Sequence, residues 1–434
     1  MKSDLFYSLI AVESLFIFRK NHGENMERIN FDVNQFLESV SFALDFVEQD
    51  ILGASVNHSR RVAYISLRIA EKLNLTEAEK SDITAYSIMH DNGLSEESLV
   101  TDKNFEKMER LKRIETFKAH CSIGENNIKH YPFLSKHKNI IKYHHENYDG
   151  SGFYNLKKEQ IPILAQIISL ADFIDNVYHF EKKDSKKTII EYIKKHKQKR
   201  YSTNLADSFL EISSHTKFWL DLRNESISYA IGEYIVPNNQ HLTWKEILDI
   251  TKVFSAIVDS KSKFTARHTS GLMEKAALAA DYYKFSQENK IKFIIAASLH
   301  DLGKLAISRS ILEKNDKLNS REIEIMRTHT YYTKFALKRV EHFKDIKEWA
   351  ANHHERLNGK GYPEGLEASE LDFNSRLMAC LDIYQALTED RPYRDGLPLK
   401  KVLNIMNKMA EHKAIDKDIF REIVPYLDKK STNK

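Results

Sequence analysis

The chain has little cysteine, proline or glycine, and each shortage excludes a class of protein. Its 434 residues include only 2 cysteines, 7 prolines and 13 glycines. Cys121 and Cys380 cannot form a disulfide framework or a zinc module built from cysteines, so we expect any metal site to use nitrogen and oxygen. So few prolines and glycines exclude collagen-like and low-complexity chains and disfavour an all-β fold.

Neither sign of charge dominates, and long hydrophobic runs are absent from the sequence. The 66 basic and 62 acidic residues leave a net charge of +4, too even for a dedicated nucleic-acid binder. The apolar stretch from Leu5 to Phe18 is interrupted, is too short to span a bilayer and precedes no small-residue cleavage site. We therefore predict a helical N-terminal segment over residues 1–30, a cytoplasmic location, and neither nucleic acid nor membrane as a partner.

Histidine, by contrast, is abundant, and ten of the 19 histidines recur in order at a shift of 209 or 210 positions. Two aspartates recur with them. The first set is His58, His90, Asp91, His120, His144, His145 and Asp172. The second set is His268, His300, Asp301, His329, His353, His354 and Asp382. Such an ordered recurrence predicts a duplicated domain.

Both copies have the apolar periodicity of helices. Apolar residues recur at i, i+3, i+4 and i+7 in segments such as Val62–Leu73, Ile291–Leu299, Arg321–Phe343 and Leu399–His412. Thr76 with Glu79 is a candidate helix start, and Ser320 is another. The pattern predicts an all-α protein.

The repeat also predicts the domain limits. We expect one domain over residues 31–214 and a second over residues 244–434. The segment 215–243 is too apolar for a flexible linker. We therefore predict that it is one helix that packs between the domains.

The second set has the chemistry of a binuclear metal site. Imidazole and carboxylate ligands without thiolate suit Fe, Mn, Zn, Ni or Co better than Ca or Mg. Seven ligands are too many for one ion with an open position, and Asp301, beside His300, is the best candidate for a bridging carboxylate. Two ions about 3.5–4 Å apart suit the hydrolysis of phosphate esters. Lys304 is placed to contact a phosphate as a point charge, and Arg391 and Arg394 are candidates to hold a phosphate or stack on a base.

The second copy resembles an HD-GYP domain of the HD phosphohydrolase superfamily. The resemblance covers Trp244 to Val424. It rests on His268, His300-Asp301-Leu302-Gly303-Lys304, His329, His353-His354-Glu355-Arg356, Gly361-Tyr362-Pro363, Asp382 and Arg391-Pro392-Tyr393-Arg394. It implies two tandem HD-type helical domains and a metal-dependent phosphodiesterase. The implied substrate is a bacterial cyclic dinucleotide, 3′3′-cyclic GMP-AMP or cyclic di-GMP, opened to a linear 5′-phosphorylated dinucleotide.

The resemblance also implies roles for single residues. One metal would be held by His268, His300, Asp301 and Asp382, and the other by Asp301, His329, His353 and His354. Asp301 and Lys304 would be catalytic, and substrate would contact Lys304, Arg356, Gly361, Tyr362, Pro363, Arg391 and Arg394. Phe264 stands where some members have a glutamate for a third metal, so we expect two ions. Iron or manganese is the expected metal, with nickel, cobalt or zinc as alternatives.

The first copy keeps all seven ligand types but departs elsewhere, and we interpret it as a degenerate HD domain. Leu94 replaces the lysine, Gly152-Phe153-Tyr154 replaces the tripeptide, and Phe180-Glu181-Lys182-Lys183 replaces the arginine loop. It is a candidate second metal site that we do not expect to turn over the same substrate. Its expected roles are homodimerisation, support of the second domain, or regulation.

Two other functions stay open from the sequence. One is an HD phosphohydrolase of linear nucleotides, which would lack the Gly361-Tyr362-Pro363 block. The other is a catalytically silent regulatory protein that binds metal or nucleotide, against which Lys304 and the complete ligand set weigh.

Overall fold

The fold is helical, as predicted. A computed structural model of the chain describes residues 27–100, 117–178, 184–262, 268–314, 316–389 and 395–432. Within them, the strands Arg28–Asp32 and Asn239–Thr243 form a two-stranded sheet, and the other regular elements are helices. No helix in these ranges is long and apolar enough to cross a membrane.

Backbone contacts divide the chain into two compact units. The first unit comprises Asn30–Gln240 together with Ala336–Glu341, and the second comprises His241–Phe335, His342–Lys434 and the N-terminal residues up to Ile29. The limits expected for the two domains, 31–214 and 244–434, stay predictions.

The first unit is built from mostly short helices. Its α-helices are Val33–Leu52, His58–Lys72, Glu77–Ile88, Leu94–Val100, Ala119–Asn127, Ile163–Val177, Ser185–Lys195, Thr203–Ile212, Thr216–Asp221 and Asn224–Ala230. Single 3-10 turns lie at Lys158–Gln160 and Ile231–Glu233. The predicted start at Thr76 is confirmed: its hydroxyl accepts from the Glu79 amide, and the Glu79 carboxylate accepts from the Thr76 amide.

The second unit repeats this construction. Its α-helices are Trp244–Lys261, His268–Tyr282, Gln287–Leu299, Arg309–Leu312, Ser320–Leu337, Lys344–Ala351, Phe373–Thr388, Leu399–Glu411 and Lys417–Thr432. The 3-10 helices Leu302–Ala306 and Asn352–His354 separate them. His268 opens its helix as His58 does in the first unit, and His300 comes immediately after a buried helix that ends at Leu299.

One predicted limit of a second-unit helix is wrong and the other is confirmed. The helix expected to reach Phe343 ends at Leu337, and a turn in which His342 adopts a left-handed conformation (φ 65°) leads to the next helix. The helix begins at Ser320, as predicted, and Asn319 caps it. The Asn319 side chain accepts from the Glu322 amide at 2.9 Å, and its own amide donates to the Glu322 carboxylate at 2.8 Å.

The segment 215–243 is not one helix. The chain leaves helical geometry at Arg223 (φ −71°, ψ 147°), which divides the segment into Thr216–Asp221 and Asn224–Ala230. A 3-10 turn and the strand Asn239–Thr243 follow. The buried residues Trp219 and Ala230 lie three helical turns apart across the break, so periodicity alone did not reveal it.

The predicted N-terminal helix is also too long. Residues 1–26 lie outside the described residues, and residues 28–30 belong to the strand Arg28–Asp32. Phe31 of this strand is buried and Arg28 is exposed. The last residues of the predicted helical segment therefore form a paired β-strand instead of a helix.

One close chain crossing is common to both units. A Cβ atom on Gly303 would lie 1.9 Å from the backbone oxygen of His329, and one on Gly93 would lie 2.3 Å from that of His120. Only glycine permits this approach, which brings the turn after the His-Asp pair against the helix that carries the third histidine.

We predict that Gly303→Ala lowers the free energy of unfolding by about 1–3 kcal/mol, because the new methyl group must displace backbone. Gly232→Ala is the control, since no atom lies within 4 Å of its added Cβ. Urea denaturation of the two variants measures the difference. An equal loss of stability in Gly303→Ala and Gly232→Ala would contradict the close approach of the chain at Gly303.

Candidate metal centre

The seven predicted ligands of the second set converge at one place in the second unit. They come from the interiors and the ends of separate helices, so no local sequence segment contains the site. Six of the seven are buried, whereas His354 is partly exposed. The pocket therefore has one accessible side.

Three of these residues form a first group. His268 Nε2 lies 3.1 Å from Asp382 Oδ1, and His300 Nε2 lies 3.9 Å from the same oxygen. One ligand atom from each of the three residues lies within 4.8 Å of the others. Such a group can enclose one cation.

His329, His353 and His354 form a second group with the same mutual spacing. The Nε2 atoms of His329 and His353 are 3.3 Å apart. His354 Nδ1 lies 3.9 Å from Asp382 Oδ2, so this residue also faces the first group.

The Asp301 carboxylate lies between the two groups. Its Oδ2 is 3.1 Å from His300 Nε2 and 4.0 Å from His268 Nε2. Its Oδ1 is 3.6 Å from His329 Nε2 and 3.8 Å from His353 Nε2. Each oxygen thus faces one group, which is the arrangement that a carboxylate bridging two cations needs.

Backbone hydrogen bonds orient three of the imidazoles. In His300, His329 and His353 the Nδ1 atom lies 2.6–2.8 Å from the backbone carbonyl three residues earlier. A carbonyl can only accept, so Nδ1 carries the proton in the neutral ring and the Nε2 lone pair points into the site. Sequence spacing did not indicate this arrangement.

The electrostatics favour the metal-binding protonation states at His329, His354 and Asp301. At His268 burial lowers the pKa, but the carboxylates of Asp382 and Glu389 outweigh it and raise the pKa to about 9. Burial lowers the pKa of His354 to about 4 and, together with His354, that of His329 to about 3. Burial raises the pKa of Asp301, but His300 and Lys304 hold it well below its usual range. Neutral imidazoles and an ionised carboxylate are the forms that coordinate metal.

Two buried atoms of the donor set lack a hydrogen-bond partner, and a divalent cation would supply one. His300 Nε2 and Asp301 Oδ1 are buried and make no hydrogen bond within the described part of the chain. A buried polar atom left without a partner costs about 1–3 kcal/mol. Imidazole nitrogen and carboxylate oxygen are common ligands of transition metals, and a cation would engage both atoms.

Lys304 lies at the edge of this centre. Its Nζ is 2.5 Å from Asp301 Oδ2, and its side chain is 20% exposed. The pairing holds a partly accessible ammonium beside the site. In the first unit the corresponding residue, Leu94, is buried and apolar.

The Gly361-Tyr362-Pro363 segment borders the same pocket. The Tyr362 ring centroid lies 4.9 Å from that of His354, and the Arg327 guanidinium lies 5.4 Å from the Tyr362 centroid. Arg356 is exposed nearby in sequence. Arg327 was not predicted as a site residue, although it precedes His329 by two residues.

Glu355 fixes the shape of this loop. Its buried carboxylate accepts hydrogen bonds from the backbone amides of three consecutive residues, Glu364, Gly365 and Leu366, at 2.8–3.1 Å. A Cβ on Gly361 would lie 2.4 Å from the Glu355 Cα, so the loop passes directly over this residue. Glu146 holds the corresponding loop of the first unit through the amides of Tyr154 and Leu156.

Several predicted residues lie outside the described residues. They are Arg391, Arg394, Phe264, and the Phe180-Glu181-Lys182-Lys183 segment of the first copy. Their roles stay predictions.

The ligand set of the first unit also converges. Asp91 Oδ1 lies 3.3 Å from His120 Nε2 and 3.6 Å from His144 Nε2, and Asp91 Oδ2 lies 3.7 Å from His90 Nε2. One ligand atom each from His120, His144 and His145 lies within 4.8 Å of the others. The carboxylate is placed between histidine groups as Asp301 is.

Two donors in this first-unit site were not predicted. Glu48 Oε2 lies 3.2 Å from His58 Nε2, and Cys121 Sγ lies 3.4 Å from His120 Nε2. The expectation that only nitrogen and oxygen surround the site is therefore wrong here. The signal in the sequence was that Cys121 directly follows a predicted ligand.

The partners of the first histidine were missed in both units. His268 Nδ1 lies 3.1 Å from Glu389 Oε2, and His58 Nδ1 lies 2.6 Å from Asp175 Oδ2. Asp175 follows Asp172 by one helical turn, whereas Glu389 follows Asp382 by two. Each carboxylate thus contacts the Nδ1 atom of the first histidine in its unit. Because the two carboxylates lie at different positions of the repeat, comparison of the two copies could not identify them.

Comparison with known proteins agrees with this architecture. Sequence models of the HD domain match residues 56–177 and residues 252–419. The chain is 28% identical over 417 residues to the 3′3′-cGAMP-specific phosphodiesterase 1 of Vibrio cholerae, which covers 93% of this chain and 94% of the relative. It is 31% identical over 167 residues to a cyclic di-GMP phosphodiesterase of Thermotoga maritima, over 38% of this chain and 45% of the relative.

A solved structure has the same fold. The crystal structure of a cyclic GMP-AMP specific phosphodiesterase of V. cholerae, V-cGAP3, matches with a TM-score of 0.65 and 25% sequence identity. The match covers 92% of this chain and 98% of that one. Fold and sites define a helical protein with two HD domains. The chain belongs to the HD phosphohydrolase superfamily and is homologous to the HD-GYP phosphodiesterases of V. cholerae.

We predict that Asp301→Asn removes the metal affinity of the second unit. The amide is neutral and offers one oxygen, so it cannot bridge two cations, and Mn²⁺ affinity should fall by more than about 100-fold. Equilibrium dialysis with Mn²⁺ counts the bound ions. Asp91→Asn is the matched control and should affect only the first unit. Unchanged binding in Asp301→Asn would refute the central position of this carboxylate.

Proposed function

We propose that the second unit hydrolyses a cyclic dinucleotide, 3′3′-cyclic GMP-AMP or cyclic di-GMP, to a linear 5′-phosphorylated dinucleotide. The observation that carries the proposal is the Asp301 carboxylate, whose two oxygens face two separate histidine groups. The phosphodiesterases to which the chain is similar act on these two nucleotides by name. The chain aligns with the first of them over nearly its whole length.

The proposed site holds two divalent ions, iron or manganese. Their ligands would be His268, His300, Asp301 and Asp382 for one ion, and Asp301, His329, His353 and His354 for the other. When bound, two such ions supply an activated water and Lewis acids for the phosphoryl oxygens. The protein contributes their spacing, through one carboxylate that is buried and ionised.

Lys304 is proposed to contact the scissile phosphate. Its ammonium is partly exposed and held in place by Asp301. A fixed positive charge beside a phosphate stabilises the negative charge that develops in the transition state. Since Lys304 pairs with the bridging carboxylate, its position depends on the metal ligands themselves.

Tyr362 and Arg327 are proposed to bind the rest of the nucleotide. The aromatic ring and the guanidinium lie together beside His354, the most exposed of the ligands. A ring face suits stacking on a base, and a guanidinium suits a phosphate oxygen. Arg356, Gly361 and Pro363 of the same loop, with Arg391 and Arg394, stay proposed substrate contacts.

The first unit is proposed to support the second without turnover of the same substrate. Leu94 offers no charge where Lys304 does, and Phe153 lies 5.2 Å from His145 where Tyr362 lies beside His354. The homodimer and the cytoplasmic location expected from the sequence stay predictions.

We predict that Glu355→Gln impairs turnover through the loop. Loss of an ionised acceptor for three backbone amides should lower the free energy of unfolding by about 1–3 kcal/mol and kcat/KM by about 10–100-fold. Glu146→Gln is the control, because the same change in the first unit should destabilise the protein and preserve kcat/KM. The role of the loop would be contradicted if both variants lost turnover equally.

The proposed activity is tested by product analysis. Protein purified anaerobically and loaded with Fe²⁺ or Mn²⁺ is incubated separately with 3′3′-cyclic GMP-AMP, cyclic di-GMP and guanosine tetraphosphate, and products are separated by chromatography. We expect a linear 5′-phosphorylated dinucleotide from at least one cyclic substrate. Tight binding without product would indicate a silent regulatory protein, and hydrolysis of guanosine tetraphosphate alone would indicate a phosphohydrolase of linear nucleotides.

A further inference from the structure

The first-unit site contains a thiol that the second-unit site lacks. Cys121 is fully buried, is not in a disulfide, and directly follows His120 at the start of the helix Ala119–Asn127. At the corresponding position the second unit has Thr330, whose hydroxyl donates to the backbone carbonyl of Arg327. The two sites therefore differ in donor chemistry at the same place.

Four donors surround one point beside Asp91. One ligand atom each from His120, Cys121, His144 and His145 lies within 4.8 Å of the others. Cys121 Sγ lies 3.4 Å from His120 Nε2, and His120 Nε2 lies 3.5 Å from His144 Nε2.

These separations match the edges of a zinc tetrahedron. Bonds of about 2.0–2.1 Å to imidazole nitrogen and about 2.3 Å to thiolate sulfur place tetrahedral ligands about 3.3–3.6 Å apart. The Cys121 thiol can donate to His120 Nε2, but the Nε2 lone pairs of His120 and His144 face each other without a hydrogen between them. A cation at the centre would give each of the four donor atoms a partner.

Hydrogen bonds already orient two of the imidazoles toward this point. The His144 Nδ1 atom lies 2.6 Å from the Ile141 carbonyl oxygen, and the His120 Nδ1 atom contacts the Phe117 carbonyl oxygen. Each ring therefore presents an Nε2 lone pair to the others. The orientation costs nothing further when a metal binds.

We propose that His120, Cys121, His144 and His145 form a zinc site in the first unit. Three imidazoles and one thiolate complete a tetrahedron, and a site closed by four protein ligands is structural rather than catalytic. Binding converts the Cys121 thiol to thiolate and releases its proton to solvent. The thiolate favours Zn²⁺ over the Mg²⁺ or Mn²⁺ that oxygen ligands select.

Cobalt(II) provides a direct spectroscopic test on the full chain. Co²⁺ bound through sulfur gives a near-ultraviolet thiolate-to-cobalt charge-transfer band, which nitrogen and oxygen ligands do not produce. We expect the band in the wild-type protein and its loss in Cys121→Thr, the residue found at this position in the second unit. Added Zn²⁺ should displace Co²⁺ and abolish the band.

Two control variants separate this site from the rest of the chain. Cys380→Ser removes the other cysteine and His353→Ala removes a ligand of the second unit, so both should retain the band. A wild-type protein without the band, or a band that persists in Cys121→Thr, would overturn the proposal. If Cys121→Thr does not fold, the Cys380→Ser spectrum decides the same question: a band that persists in this variant supports the site at Cys121, and a band that is lost overturns the proposal.

Discussion

The Asp301 carboxylate is the contact on which the rest of the second unit depends. A buried carboxylate is costly, and it stays ionised here because His300 and Lys304 lie against one oxygen and two more imidazoles face the other. Its position after the helix Gln287–Leu299 directs it into the space between the histidine groups. Gly303 then lets the chain turn tightly under His329.

The duplicated unit shows which parts of this arrangement can change. Both copies keep the central aspartate, the glycine crossing and a buried glutamate that holds the loop. The first copy replaces Lys304 by Leu94 and gains Cys121 beside its histidines. One duplicated scaffold thus carries a centre suited to phosphate chemistry and another with the donors of a closed metal site.

The sequence predicted the helical class and which histidines and aspartates converge, because an ordered repeat of histidines reports geometry that both copies must keep. It did not predict Glu389, whose counterpart lies on a different helical turn, or Cys121, whose counterpart Thr330 has no thiol. The break at Arg223 was invisible because the apolar spacing continues across it. Such features depend on tertiary contacts and single backbone conformations, which periodicity does not encode.

The central claim is that one carboxylate lies between two cations. Anomalous diffraction from anaerobically grown crystals of the Mn²⁺- or Fe²⁺-loaded protein, collected at the metal edge, locates those ions directly. The account predicts two peaks about 3.5–4 Å apart, one on each side of the Asp301 carboxylate. A single peak in the second unit, or two peaks that Asp301 does not join, would contradict it.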